Sequence, residues 1–237
     1  MRALKFTLSG KMACFRKPEI NSSVYLTYSN IPKVPLLGIL GSVIGLSGYT
    51  QAAKGELPEF YNKLCDFKIG IVPPKKNTVQ KTNIFNNATG SASHEDGGNL
   101  IVKENILINP TWDIYILSND TEEYKKLEEY ILNQKTEFIP YLGRNDYPAT
   151  ISNAANVELE DITSDILTYD SLVPGTVTDC IPSESVRGKK FFFVESLPIA
   201  LHPITKQYIY QSFLLTTECF KKQENSYSYN DINIKFI

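Results

Sequence analysis

LKFTLSG, residues 4–10, alternates Leu4, Phe6 and Leu8 with Lys5, Thr7 and Ser9, the period-two pattern of a half-buried strand. The strand is expected over Ala3–Ser9, and this alternation is unlike the apolar run of a signal peptide, so secretion is not expected. A basic and aromatic connection follows through Phe15, Arg16, Lys17, Tyr25 and Tyr28, where Pro18 and Pro32 exclude a continuous helix. A helix then starts near Pro35. Its glycines Gly38, Gly41 and Gly45 stand at i, i+3 and i+7 and leave one stripe nearly free of side chains. Each interior glycine costs about 1 kcal/mol of helix stability, so a compensating close approach is expected, against a sheet first and an RNA backbone second.

Further along, Asp66–Val72 and Trp112–Leu117 read as short strands, separated by a long polar insertion rich in Asn, Gly, Ser and Lys, Pro73–Glu104. Asp120 offers an N-cap with Glu123 as its capping-box partner, opening a helix that carries Tyr124, Leu127, Tyr130 and Ile131 on one face and ends near Gln134. Ala154–Asp161 completes the order strand, helix, strand, strand, helix, strand. That order is α+β and ferredoxin-like, the architecture of the RNA recognition motif. Beyond Ser171, Lys190–Ser196 and Gln207–Thr217 are rich in Phe, Tyr, Val and Ile and are separated by Pro198 and Pro203, which predicts a small antiparallel lobe. Ile232–Ile237 is a candidate last strand.

The 237 residues carry a net charge of -2, but unevenly. Residues 1–81 hold 12 Lys and Arg against Glu19, Glu56, Glu59 and Asp66, while the rest of the chain is acidic. Such asymmetry predicts one face for a polyanion and another for different contacts. Single-stranded RNA is held by cations on phosphates and flat rings on bases, and Lys11, Phe15, Arg16, Lys17, Tyr25, Tyr28 and Lys33 supply both. Catalytic signals are sparse. LGILGSVIG lacks the GK[ST] ending of a phosphate loop, and neither HExxH nor GxSxG occurs. Cys14, Cys65, Cys180 and Cys219 show no paired spacing, so no metal site, cofactor or disulfide framework is expected. His94, in SASHEDGG, and His202, before Pro203, are the only histidines available for metal-independent cleavage of RNA. Val34–Ala53 is free of charge, yet its dense apolar part is short and glycine-broken, which fits a core helix better than a membrane span.

Several segments in order resemble one family: LKFTLSG (4–10), FRKP (15–18), SVYLTY (23–28), KVPLLGILGSVIGL (33–46), NNATG (86–90), GGNLIVKENILINP (97–110) and YLGR (141–144) with Pro148 and Ala149. They are similar to the family-five Cas subunit of type I CRISPR Cascade, in a form nearest subtype I-B. The resemblance implies a modified RNA recognition fold over residues 1–165, with a β-hairpin thumb at about 73–110, and a β-rich lobe over 166–237. It implies a cytoplasmic, non-catalytic subunit that caps the 5′ handle of crRNA in antiviral defence. Its partners would be the Cascade backbone and large subunits and, indirectly, target DNA. Handle-binding candidates carried by motif are Arg16, Lys17, Tyr28, Lys33 and Arg144, beside Lys11, with Lys75, Lys76, Lys81 and Asn87 on the thumb. In subtype I-C the corresponding subunit cleaves precursor RNA with a Tyr, Lys and His grouping. No histidine stands near YLGR or in the basic segment here, so nuclease activity is the alternative expectation.

Overall fold

The computed structural model describes residues 1–18, 20, 24–74, 79–86, 100–182 and 191–237. Along the chain run β1 (Arg2–Ser9), β2 (Met12–Ala13), β3 (Val24–Tyr25), α1 (Lys33–Ile44), α2 (Glu59–Leu64), β4 (Ile69–Val72), β5 (Val79–Asn86), β6 (Ile101–Ile108) and β7 (Thr111–Leu117). There follow α3 (Glu122–Leu132), β8 (Thr150–Glu158), β9 (Glu160–Asp161), β10 (Ile166–Leu167), β11 (Val173–Pro174), β12 (Phe192–Leu201), β13 (Tyr208–Thr216), β14 (Phe220–Lys221), β15 (Ser226–Tyr229) and β16 (Ile232–Lys235). The protein is mixed α+β, mostly sheet with few helices.

The central sheet has the order β4-β7-β1-β8, every neighbour antiparallel. Because side chains alternate along a strand, Leu4, Phe6 and Leu8 of β1 all enter one core with Leu36, Leu37 and Leu40 of α1 and Leu127 of α3. The opposite face carries Ala3, Tyr115 and Val157, and it is covered by Ile234 and Phe236 from the end of the chain. Ile69 and Ile237 exchange both backbone hydrogen bonds at 3.0 Å, which joins that end to the edge strand β4. Residues beyond 166 thus contribute to the main packing: Leu172, Leu197, Leu201 and Phe213 share the core of the helices.

A second sheet stands beside the first. β6 pairs antiparallel with β5 over its whole length, antiparallel with β2 and parallel with β3. Lys75, Lys76 and Asn87, expected on this insertion, lie outside the described residues, as does His94.

Local differences from the sequence reading have simple causes. Gly38 and Gly41 of the α1 stripe approach not a sheet but Phe60 of the short helix α2, which periodicity had not indicated, and Gly45 faces the Glu137 side chain. A Cβ at Gly41 would stand 2.5 Å from the Cβ of Phe60, so the absent side chain is what lets that ring seat. Gly45 ends α1 in the left-handed region at φ 83°, where glycine has no Cβ penalty. The cap of α3 is Thr121, whose hydroxyl accepts the Tyr124 N–H at 3.2 Å, one residue after the expected Asp120. β12 continues through Pro198 instead of stopping there, with its register to β13 shifting between Pro198 and Ala200, as a missing N–H demands.

Phe236→Ala removes a ring that is 1% exposed and lies over the sheet. A loss of about 3–5 kcal/mol is expected in urea unfolding; a loss under about 1 kcal/mol would show that the terminal segment does not hold the sheet.

Candidate nucleic-acid interface

Three strands of chain meet where the sequence placed its basic and aromatic signal. After β2, Cys14 donates to Leu142 O at 3.1 Å, and Phe15 and Tyr28 are joined by the Tyr28 N–H at 3.0 Å from Phe15 O. Phe15 packs edge-on against Trp112 at 6.0 Å and is buried. The YLGR loop crosses this segment so closely that a Cβ at Gly143 would stand 1.9 Å from the Cys14 carbonyl oxygen, and φ there is +85°. Glycine is required on both counts.

The crossing delivers Arg144 to Glu104 of β6. One guanidinium nitrogen, Nη1, lies 2.7 and 2.8 Å from the two Glu104 oxygens, and Nη2 lies 2.8 Å from Asp146. The Tyr147 hydroxyl also donates to Glu104, at 2.7 Å. Burial and then this carboxylate push the Tyr147 hydroxyl up to about 12. Glu104 is itself buried, so Arg144 serves as the counter-charge that a buried carboxylate needs. Its guanidinium also sits over the Phe85 ring at 5.1 Å, tying the loop to β5.

Lys17 has a similar fate. Its ammonium pairs with the buried Glu195 of β12 at 3.1 Å and lies 4.9 Å from the Tyr28 ring centre. Glu195 also accepts the Ser29 N–H. Tyr28, expected on the RNA-facing surface, is 1% exposed, with its hydroxyl 3.4 Å from that of Tyr210; an apolar ring next to the core is drawn inward. Lys33 is likewise turned inward, donating to Ile237 O at 3.2 Å, and burial followed by the neighbouring Lys68 lowers its ammonium from 10.5 to about 8.

Lys11, Arg16 and Lys81 remain exposed and make no ion pair among the described residues. The Arg16 guanidinium carbon lies over Tyr25, 3.5 Å from the ring centre, which keeps the cation at the surface without consuming its charge. The sequence-derived set is therefore brought together in part: Arg16 and Lys17 with Tyr28, Arg144 nearby across Cys14, Lys33 and Lys81 elsewhere.

Beside Arg16 opens a cavity of about 740 Å³. Gly38 and Ser42 of α1 line it, with Tyr49, Phe138, Tyr141 and Tyr208 among its aromatic walls. Sequence reasoning missed these rings. The signal available was the apolar run Phe138, Ile139, Pro140, Tyr141 ahead of Gly143, of which Phe138, Ile139 and Tyr141 are 46–78% exposed and Pro140 is buried. His202 is no part of this cavity: its Nδ1 accepts the backbone N–H groups of Ile204 and Thr205, shaping the turn between β12 and β13.

No protein-family model matches the chain, and no curated protein matches it in sequence. Solved structures share its fold. A protein of a CRISPR RNA-guided surveillance complex superposes with a TM-score of 0.52 at 11% identity, covering 91% of this chain and 90% of that one. A chain of the type III-B Cmr-β complex bound to cognate target RNA and AMPPnP gives 0.54 at 11% identity, with 93% and 86% covered. A CRISPR protein from Archaeoglobus fulgidus gives 0.50 at 11% identity, with 99% and 98% covered. The chain therefore has a fold found in CRISPR proteins.

Burial of Lys33 sets a pH dependence. Its native pKa of about 8 lies below the ordinary 10.5, so between those values the unfolded chain holds more protons, and stability rises with pH. Lys33→Met is expected to abolish that rise in denaturant midpoints measured from pH 7 to 10.5; an identical slope in the variant would exclude Lys33 as its source.

Proposed function

We propose that this protein is a CRISPR-associated subunit of the family-five type, which binds the 5′ handle of crRNA without cleaving it. The observation that carries the reading is the union of a shared CRISPR-protein fold with a ring-supported Arg16, free of ion pairs among the described residues, beside an aromatic-walled cavity. The central sheet order, with two helices on one face, supports a modified ferredoxin-like RNA recognition fold. In such folds RNA often lies on the open sheet face. Here Ile234 and Phe236 cover part of that face, which favours the connecting segments after β1 as the binding surface.

The β5–β6 hairpin is the proposed thumb. Val79, Ile84, Leu100 and Ile101 are more than half exposed on it, and Lys81 projects among them. A mixed apolar and basic surface of this kind suits the nearest backbone subunit and the RNA it carries. The large subunit is the second proposed partner. Handle capping, the I-B assignment and the absence of catalysis rest on the sequence resemblance, supplemented by the engagement of His202 in its own turn.

Affinity purification of the full chain from its host is expected to recover crRNA and other Cas subunits. Binding of a handle RNA is expected to weaken with salt, and Arg16→Ala to reduce the salt slope by about 0.7, the value for one phosphate on a single strand. Lys17→Ala acts mainly through the Glu195 pair, so stability falls before affinity does. Copurification of no RNA would reject the RNA-binding reading, and metal-independent cleavage of the repeat that His94→Ala or His202→Ala abolishes would reject the non-catalytic one.

A further inference from the structure

The cavity beside Arg16 has the composition of a stacking site. It falls within the range of about 300–1,000 Å³ common to small-ligand sites. Arg16 is the one charged side chain among its described lining residues, and no acidic group faces it from that set. Tyr49 is 55% exposed and packs edge-on against Phe60 at 5.6 Å. Phe138 and Tyr141 are 60% and 46% exposed. Phe138 is fixed through its backbone, whose N–H donates to Ser42 O at 3.1 Å, so this wall is tied to α1. The floor at Gly38 is open. A Cβ there would meet only the Phe60 ring, at 3.8 Å.

We infer that this cavity receives unstacked bases of a bound RNA strand, with an adjoining phosphate on Arg16. The inference rests on the RNA-binding reading above and adds where the bases go. The exposed rings of the lining give each base a flat apolar contact, while the absence of an acidic group and the one cation among the described lining residues favour a polyanionic ligand over a cationic peptide. Some hydrogen-bonding side chains of the lining are engaged within the protein: Ser42 Oγ donates to Ile39 O, and Thr50 Oγ1 to Gln51 Oε1. Stacking on the exposed rings is the main contact, with weak preference among bases.

The test uses the full chain and a fluorescein-labelled RNA of about eight nucleotides, a length within the span a single binding fold covers. An abasic ribose-phosphate oligomer and the equivalent DNA, both of the same length, serve as companions. Tyr49→Ala, Phe138→Ala and Tyr141→Ala alter exposed rings, and Gly38→Leu fills the open floor. Each is expected to weaken RNA and DNA binding about fivefold or more, while affinity for the abasic oligomer changes by less than about twofold and circular dichroism is preserved. Arg16→Ala should weaken all three ligands. If the four cavity variants bind RNA like the parent while Arg16→Ala still weakens it, the inference is overturned and the functional reading survives; the cavity would then suit an apolar polypeptide. If the parent chain binds none of the three, both fall together.

Discussion

The contact on which the arrangement depends is the crossing of Gly143 over the Cys14 carbonyl. No side chain fits there, since a Cβ would stand 1.9 Å from that oxygen. Because the two backbones touch, the loop before Gly143 runs along α1 and the loop after it reaches β6. Glu137 and Phe138 donate to Val43 and Ser42 at the end of α1, building one cavity wall. Arg144 then neutralises Glu104 in the second sheet. One glycine therefore joins the first helix, the segment after β1 and the hairpin sheet into a single body.

Charge follows a related logic. The basic excess of the first third is spent partly within the molecule: Lys17 answers the buried Glu195, while Arg2 and Lys63 pair at the surface with Glu128 and Glu123. Buried carboxylates without such partners would carry a heavy desolvation cost. What remains for a ligand is smaller than composition suggests, and it includes Arg16, held over the Tyr25 ring.

Much of the central sheet was legible because its strands alternate or run apolar and its helices carry clear starts. β1, β7 and α3 announce themselves within a few residues. α2 was not legible: Glu59–Leu64 is too short for a periodic signal, and its role emerges only when Phe60 seats on Gly41. Motif spacing found Arg16 and Arg144 but could not separate a phosphate-facing cation from one locked to a carboxylate. That distinction lies in long-range pairs, Arg144 with Glu104 and Lys17 with Glu195, whose acidic members had no local mark. The stacking rings were hidden for the opposite reason, since exposed Phe138 and Tyr141 look like core residues in a linear reading.

The covering of the sheet by Ile234 and Phe236 bears on how the molecule comes into being. β1 is made well before Ile234 and Phe236, yet the apolar face bearing Ala3 and Tyr115 is covered by those later residues. Contacts of such long sequence separation slow folding, and an emerging chain would carry unsealed apolar surface throughout synthesis. Maturation is thus gated by translation passing β16 and Phe236, and fragments truncated before them would be candidates for chaperone capture or proteolysis.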